Sequence, residues 1–177
     1  MIWFTSDLHF DHTRILQKHP TRGASIEEMH ERIISNWNAV VAHRDEVWVL
    51  GDFAWRASMA EDRFRALRGQ KHLVVGNHDA GATRRLPWKS VRELHRWRQH
   101  GLRAVLCHYP ILSWHGAHHG AWMLHGHTRG LLQEPEPTTR LDVGIDTHPE
   151  FRPYSLDEII AFMVDRSYHA VDGHTPG

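Results

Sequence analysis

The first half of the chain alternates short apolar runs with amphipathic segments. Short apolar runs bounded by polar residues indicate buried strands, and apolar residues at three- and four-residue intervals indicate helices that face a core. Ser25 and Glu28 form a capping-box pattern at the start of the first helix, and Gly69 is the expected C-cap of the second. A strand–helix–strand–helix–strand order predicts right-handed crossovers and a parallel sheet. The predicted elements are strands at 1–5, 46–50 and 71–75 and helices at 25–41 and 59–68.

The second half of the chain is less regular. Residues 91–97 and 103–107 are predicted to form two strands around a turn at His100–Gly101. A last helix is predicted at 155–164, where a second capping box precedes an apolar face. Two further short apolar runs, at 121–124 and 141–145, complete the predicted strands.

Composition narrows the class of protein. The 177 residues suit a single domain over 1–177, with a frayed tail at 173–177. Lys plus Arg equal Asp plus Glu at 21 each, so no extended basic surface for nucleic acid or an anionic membrane is indicated. The lone Cys107 lies in an apolar run and excludes an internal disulfide. With no basic leader and no apolar run long enough to cross a membrane, we expect a soluble, cytoplasmic protein.

Polar side chains follow each of the three predicted parallel strands. Asp7 and His9 follow the first, Asp52 follows the second, and Gly-Asn-His-Asp at 76–79 follows the third. A polar turn would explain 76–79 alone equally well. In open α/β sheets, however, ligands bind at the carboxyl ends of the strands, so these side chains should converge. Three repetitions of the pattern make chance placement hard to sustain.

Histidines end two strands of the second half as well. His108 follows the run at 103–107, and His125 and His127 follow the run at 121–124. Mixed Asp, Asn and His donors suit first-row divalent ions better than magnesium or calcium. A carboxylate shared between two sets of ligands would make a two-metal site. Asp52 is the natural bridge, because its strand is predicted to lie between the other two.

These motifs resemble those of a known family, the calcineurin-like metallophosphoesterases. The family's series D-x-H, G-D, G-N-H-[DE], H and G-H-x-H is matched in order, over roughly residues 1–147. The small bacterial and phage phosphoesterases of the family are the most similar. The resemblance implies an α/β fold, a β-sandwich flanked by helices in four layers (α/β/β/α), with the site at the carboxyl ends of the strands.

The resemblance also implies roles for individual residues. Two divalent transition-metal ions are expected, with Mn favoured and Fe, Zn, Ni or Co as alternatives. His78 would contact the phosphate or protonate the leaving group, and Asp79 would orient His78. By the same resemblance Asp7 and His9 hold the first ion, Asp52 bridges the two ions, and the second ion is held by Asn77, His108 and His127.

The last motif departs from the family pattern. It falls on Gly126-His127-Thr128-Arg129, so Arg129 stands where the first metal usually finds its last histidine. We expect water to complete the first site, with His125 either behind the ligands or as a substitute ligand. The departure is expected to weaken the first metal, and it places a guanidinium close to where phosphate oxygens would bind.

Two further side chains are candidates for substrate binding. Arg56 follows Asp52 by four residues, the spacing of a phosphate-binding arginine in the protein-phosphatase and polynucleotide-phosphatase branches of the family. A solvated arginine at the start of the next helix explains Arg56 equally well. His12, just past the first motif, is a candidate pocket residue.

The expected activity is hydrolysis of a phosphate ester. Two cations would neutralise the ester, and a metal-bridging hydroxide would attack phosphorus in line with the leaving group, with no enzyme nucleophile. The expected substrate is a small phosphodiester of nucleotide type, because a short chain without a cap domain leaves an open site. A phosphomonoesterase acting on a nucleotide or a phosphoprotein is the alternative. A non-catalytic protein-interaction module of the same fold is the second alternative.

Overall fold

Two β-sheets and the helices around them make up the structure, a computed structural model that describes residues 1–55, 57–133 and 138–168. The tail predicted at 173–177 lies outside the described residues. In chain order the strands are β1 (Ile2–Thr5), β2 (Glu46–Val49), β3 (Gln70–Val74), β4 (Val91–Arg92), β5 (Leu94–Gln99), β6 (Leu102–Cys107), β7 (Trp122–His125), β8 (Arg140–Asp142) and β9 (Tyr154–Ser155).

The helices predicted from the apolar pattern are present. The α-helices of the described residues are α1 (Ile15–Lys18), α2 (Ile26–Val40), α3 (Ala57–Ala66), α4 (Gly81–Arg84) and α5 (Leu156–Met163). Ser25 Oγ accepts a hydrogen bond from Glu28 N (3.1 Å), but the Glu28 carboxylate accepts from Ala24 N, so the capping box of α2 is not closed. The capping box of α5 is complete. Of the described helices, none combines the length and apolar character needed to cross a membrane.

The strands of each sheet that lead to the site are parallel. The first sheet has the order β4-β3-β2-β1-β9, in which β1 to β4 run parallel and β9 pairs antiparallel with β1. The predicted parallel sheet is confirmed, and β2 lies between β1 and β3. The second sheet has the order β5-β6-β7-β8, in which β5 and β6 form an antiparallel hairpin and β6, β7 and β8 are parallel.

The first sheet is buried on both faces. In β1, Trp3 packs in the core that contains Ile33 of α2, whereas Phe4 packs in the core between the two sheets. Leu106 of β6 and Met163 of α5 belong to this second core. Because successive side chains of a strand point to opposite faces, a sheet buried on both faces requires continuous apolar strands. This requirement explains the apolar runs in the first half of the sequence.

Three details differ from the predictions. The strand predicted at 91–97 is split, because β4 pairs with β3 of the first sheet and β5 pairs with β6 of the second. The chain changes sheets at Glu93, a step that the polarity pattern does not reveal. The strand predicted at 141–145 ends at Asp142. In the described part of the chain, the outer face of the second sheet is covered by residues 111–121, which include a 3-10 turn at Ala117–His119 in place of an α-helix.

Candidate active site

The site begins where β1 and β2 end side by side. Beyond the strands the two segments stay paired, because Asp7 N donates to the Gly51 carbonyl (3.0 Å) and His9 N donates to the Asp52 carbonyl (2.9 Å). Asp7, His9 and Asp52 have left-handed backbones, with φ of 58°, 49° and 56°. Each such residue costs on the order of 1–3 kcal/mol and such residues cluster at functional sites. Strand alternation does not bring Asp7 and His9 together, because β1 ends at Thr5 and both residues lie beyond it.

Glycines let the strand ends approach closely. A Cβ atom at Gly76 would overlap Asp52 Oδ1, and one at Gly126 would overlap Ser6 Oγ. Only a residue without a side chain fits these two positions. The chain at Gly76 therefore lies close against the backbone and side chain of Asp52.

The first cluster of ligand atoms comes from Asp7, His9 and Asp52. His9 Nε2 lies 3.4 Å from Asp7 Oδ1 and 3.6 Å from Asp52 Oδ2. Both carboxylate oxygens are buried, and within the described residues neither has a hydrogen-bond partner. An unpaired buried polar group costs about 1–3 kcal/mol, and more when it is charged. The two oxygens therefore fit a bound cation.

The second cluster shares Asp52 and adds His108 and His127. His108 Nε2 lies 3.5 Å from Asp52 Oδ2, 3.0 Å from Asn77 Oδ1 and 3.2 Å from His127 Nδ1. On the other side of the ring, His108 Nδ1 lies 2.8 Å from the Leu50 carbonyl oxygen. A carbonyl can only accept, so Nδ1 donates to Leu50, and in the neutral ring Nε2 would bind a cation on the side where it faces Asn77 Oδ1.

Burial favours the neutral, metal-binding form of the His9 and His127 imidazoles. It lowers the pKa of His9, and burial together with the neighbouring His108 lowers the pKa of His127. Neutral imidazole nitrogens combined with carboxylate oxygens suit a first-row transition metal. Two clusters that share Asp52 have the layout predicted for a two-ion site.

A buried arginine holds the loop that carries Asp7. Arg22 Nη2 donates to the Asp7 carbonyl (2.6 Å) and Nη1 donates to the Leu8 carbonyl (3.0 Å). The same guanidinium forms a bidentate pair with Asp146, at 2.8 Å and 2.5 Å. No sequence signal pointed to Arg22, because its carboxylate partner lies 124 residues away.

His78 lies at the site, whereas the Asp79 carboxylate bonds to backbone groups and does not orient the His78 side chain. His78 Nε2 is 4.0 Å from Asp52 Oδ2, and His78 N donates to Asp52 Oδ1 (2.8 Å). The Asp79 carboxylate instead accepts from the backbone N–H groups of Gly76, Asp52 and Phe53, at 2.8, 2.9 and 2.9 Å. It therefore ties the ends of β2 and β3 together, which does not support the predicted orienting role. Burial raises the pKa of Asp79 to about 6, and the three N–H groups oppose that rise.

Arg129 reaches into the first cluster. Its Nη1 lies 3.4 Å from His9 Nε2 and 3.7 Å from Asp7 Oδ1. Its Nε donates to His19 Nε2 (3.0 Å), a partner that the sequence did not suggest. The guanidinium therefore stands beside the predicted ligands of the first metal, where the motif alignment placed it.

Two of the predicted residues are not part of the clusters. His125 is buried, with Nδ1 2.9 Å from the Gly126 carbonyl oxygen, and its ring nitrogens belong to neither group of ligand atoms. Arg56, the predicted phosphate-binding arginine, lies outside the described residues.

A cleft of about 540 Å³ opens beside His78, and sequence reasoning missed it. Its lining includes Trp55, which is 47% exposed. The His12 ring stacks on the Trp55 ring, with centroids 4.3 Å apart and planes 10° apart, so His12 supports the tryptophan and does not line the cleft. Burial and the nearby His9 and His78 lower the pKa of His12 to about 4.

A two-sheet α/β sandwich gathers at its strand ends carboxylates and imidazoles that could hold metal ions. The chain belongs to the calcineurin-like phosphoesterase family, whose sequence model matches residues 1–176. The match extends beyond the predicted span of 1–147. The protein is therefore a metal-dependent phosphoesterase, and the predicted family, fold class and hydrolase activity are confirmed.

Similar proteins come from archaea, bacteria and phages. The chain is 28% identical to the uncharacterized protein MJ1445 of Methanocaldococcus jannaschii, over 92% of this chain and 90% of that protein. It is 28% identical to the Gene 66 protein of Mycobacterium phage L5, over 89% of this chain and 91% of that protein. The fold is similar to that of AQ665 from Aquifex aeolicus, a protein of unknown function, with a TM-score of 0.72 and 21% identity over 92% of this chain and 99% of that one.

Proposed function

We propose that this protein is a two-metal phosphodiesterase that acts on small diesters of nucleotide type. The observation that carries the proposal is the pair of buried oxygens, Asp7 Oδ1 and Asp52 Oδ2, which lack hydrogen-bond partners within the described residues. Such oxygens destabilise the fold unless a cation compensates them, and Arg129 Nη1 reaches Asp7 Oδ1 only at 3.7 Å, beyond hydrogen-bond distance. Their position among neutral imidazoles supports transition-metal ions, with Mn²⁺ as the favoured ion.

The ligands divide into two sets that share Asp52. Bound ions would supply neutralisation of the phosphate charge and activation of water for attack on phosphorus. The first set is Asp7, His9 and Asp52, and the second is Asp52, Asn77, His108 and His127.

His78 is the proposed acid that protonates the leaving oxygen. Its backbone is held by Asp52 Oδ1, and its side chain is 31% exposed, so Nε2 can meet a substrate that enters from solvent. A positioned general acid contributes roughly 10²- to 10⁴-fold to a rate. The proton at His78 Nε2 would pass to the ester oxygen as its bond to phosphorus breaks.

Arg129 is the proposed contact for a non-bridging phosphate oxygen. Its guanidinium already interacts with Asp7, His9 and His19, so only part of its donor capacity remains for a substrate. A diester carries one negative charge and a monoester up to two. The partly engaged guanidinium therefore favours the diester.

Parallel assays with bis-p-nitrophenyl phosphate and p-nitrophenyl phosphate test the proposal. Hydrolysis of the diester should be faster, should depend on added Mn²⁺ and should stop in EDTA. Asp52→Asn should reduce the rate to background, whereas Asp62→Asn, at an exposed carboxylate of α3, should leave it unchanged. Preference for the monoester would favour a phosphatase. Absence of turnover, together with substoichiometric metal in the purified protein, would favour the interaction module.

A further inference from the structure

The cleft beside His78 starts at the candidate catalytic residues. Asn77 and His78 form part of its wall, and its volume is about 540 Å³. Pockets for small molecules are typically about 300–1,000 Å³. Because His78 Nε2 lies 4.0 Å from Asp52 Oδ2, a group attached to a phosphate at the two clusters can reach this cleft.

Trp55 offers an aromatic surface to the cleft. One face of its indole is covered by His12, yet the residue is 47% exposed. The His78 ring lies 4.9 Å from the Trp55 ring at an interplanar angle of 51°. Large aromatic residues are mostly buried, and an indole held in place by a stacking partner is ready to stack on a ligand. Trp55 therefore has the properties of a platform for a planar ring.

The remaining lining also suits a flat, polar-edged group. Ala80 and Gly81 contribute no side chain larger than a methyl group, so a planar ring can lie close to the backbone. Arg84 is held by a hydrogen bond from Nε to the Asp79 carbonyl (2.8 Å), and its Nη1 lies 3.3 Å from the Glu93 carboxylate. A guanidinium has five N–H donors, so Arg84 retains donors for ring nitrogens or carbonyl oxygens of a ligand.

We propose that this cleft is a nucleobase subsite, in which Trp55 stacks on the base and Arg84 contacts the polar edge of the base. The inference rests on the proposed function and deepens it, because it defines the substrate as a phosphodiester with a nucleoside on one side. Stacking on an aromatic side chain accepts every base. The subsite therefore distinguishes nucleosides from small alkyl groups and does not select one base.

The test compares two esters with the same chromophore. Thymidine 5′-(p-nitrophenyl phosphate) carries a nucleoside, and methyl p-nitrophenyl phosphate does not. The wild-type kcat/KM should favour the thymidine ester by roughly 5- to 150-fold, the range that base stacking provides. Trp55→Ala should bring the ratio close to one, and Trp55→Phe should keep most of it. Phe162→Ala, at an exposed aromatic of α5, should not change the ratio.

Failure of the subsite and failure of the proposed function give different results. The subsite is overturned if both esters are hydrolysed with metal at equal kcat/KM, or if Trp55→Ala leaves the ratio of the two kcat/KM values unchanged. Either result leaves the proposed phosphodiesterase activity standing. If neither ester is cleaved with any metal, the proposed phosphodiesterase activity is wrong. Calorimetric titration of the Mn²⁺-loaded protein with adenosine monophosphate then tests the nucleobase subsite by itself. Binding that Trp55→Ala weakens at least fivefold supports the subsite, and binding that Trp55→Ala leaves unchanged overturns it.

Discussion

Replacing Arg129 with histidine should give the two predicted metal sites similar affinities. Arg129 Nη1 lies 3.7 Å from Asp7 Oδ1, in an ion pair that a cation at the first cluster must displace or share. At an effective dielectric constant of about 20, unit charges at this separation attract by about 4 kcal/mol. The Arg129 side chain is 20% exposed and can move aside, so the cost is closer to that of a charge-assisted hydrogen bond, about 1.5–3 kcal/mol.

This cost predicts unequal binding in the wild-type protein. A loss of about 2 kcal/mol corresponds to roughly 30-fold weaker binding at the first cluster. Arg129→His removes the competing charge and supplies an imidazole. In this variant the metal affinities of the first and second clusters should agree within a few-fold. Arg129→Gln removes only the charge, so its metal affinity at the first cluster should lie between those of the wild type and Arg129→His.

The assay is calorimetric titration of EDTA-stripped protein with Mn²⁺, with metal content measured by elemental analysis after desalting. Wild-type protein should retain about one ion, and Arg129→His about two. Arg98→His, at an exposed arginine of β5, serves as the control for an added histidine and should match the wild type. Two equal sites in the wild type, or no change in Arg129→His, would refute the reasoning.

Three other predictions concern stability. In EDTA, Asp52→Asn should melt at or above the wild-type temperature because it removes a buried charge whose Oδ2 has no hydrogen-bond partner among the described residues, while Mn²⁺ should raise the melting temperature of the wild type only. Arg22→Met should lower the free energy of unfolding by about 3–5 kcal/mol in urea denaturation, because it leaves Asp146 unpaired, and adding Asp146→Leu should restore part of the loss. Hydrogen bonds from Arg152 lower the pKa of Glu158 from 4.5 to about 2, so this carboxylate stabilises the fold above pH 4.5 and loses that effect as the pH falls toward 2. Glu158→Gln should therefore be less stable than the wild type at pH 7, with a difference that disappears in acid-unfolding curves near pH 2.

The convergence of the motifs could be predicted because it depends on local patterns. Apolar run length indicates a buried strand, and the order of strands and helices indicates a parallel sheet. Parallel strands deliver their carboxyl ends to one edge, which is why Asp7, Asp52 and Asn77 could be placed together before any coordinates. The resemblance to the family motif, and not the strand order, placed Arg129 beside the ligands of the first metal, because Arg129 takes the position of the motif's last histidine.

What could not be predicted depends on contacts between distant segments or on backbone conformation. Arg22 pairs with Asp146 through a turn that has no apolar period, so no pattern connects them. The left-handed backbones of Asp7 and His9 arise from pairing beyond the strand ends and not from strand geometry. Trp55 was missed because it follows an apolar pair, Phe53 and Ala54, and its exposure depends on how His12 packs against it.

The two sides of the site have unlike chemistry, and this difference bears on substrate choice. On one side Arg129 supplies a single positive charge at the cluster where the family usually adds a further metal ligand. On the other side Trp55 and Arg84 offer stacking and hydrogen-bond donors. A monoester dianion carries more charge and is therefore expected to lose more when the first ion binds weakly. Under the proposed function a nucleoside diester carries less charge and would gain affinity from the cleft, so we expect the arginine at position 129 to shift selectivity toward diesters.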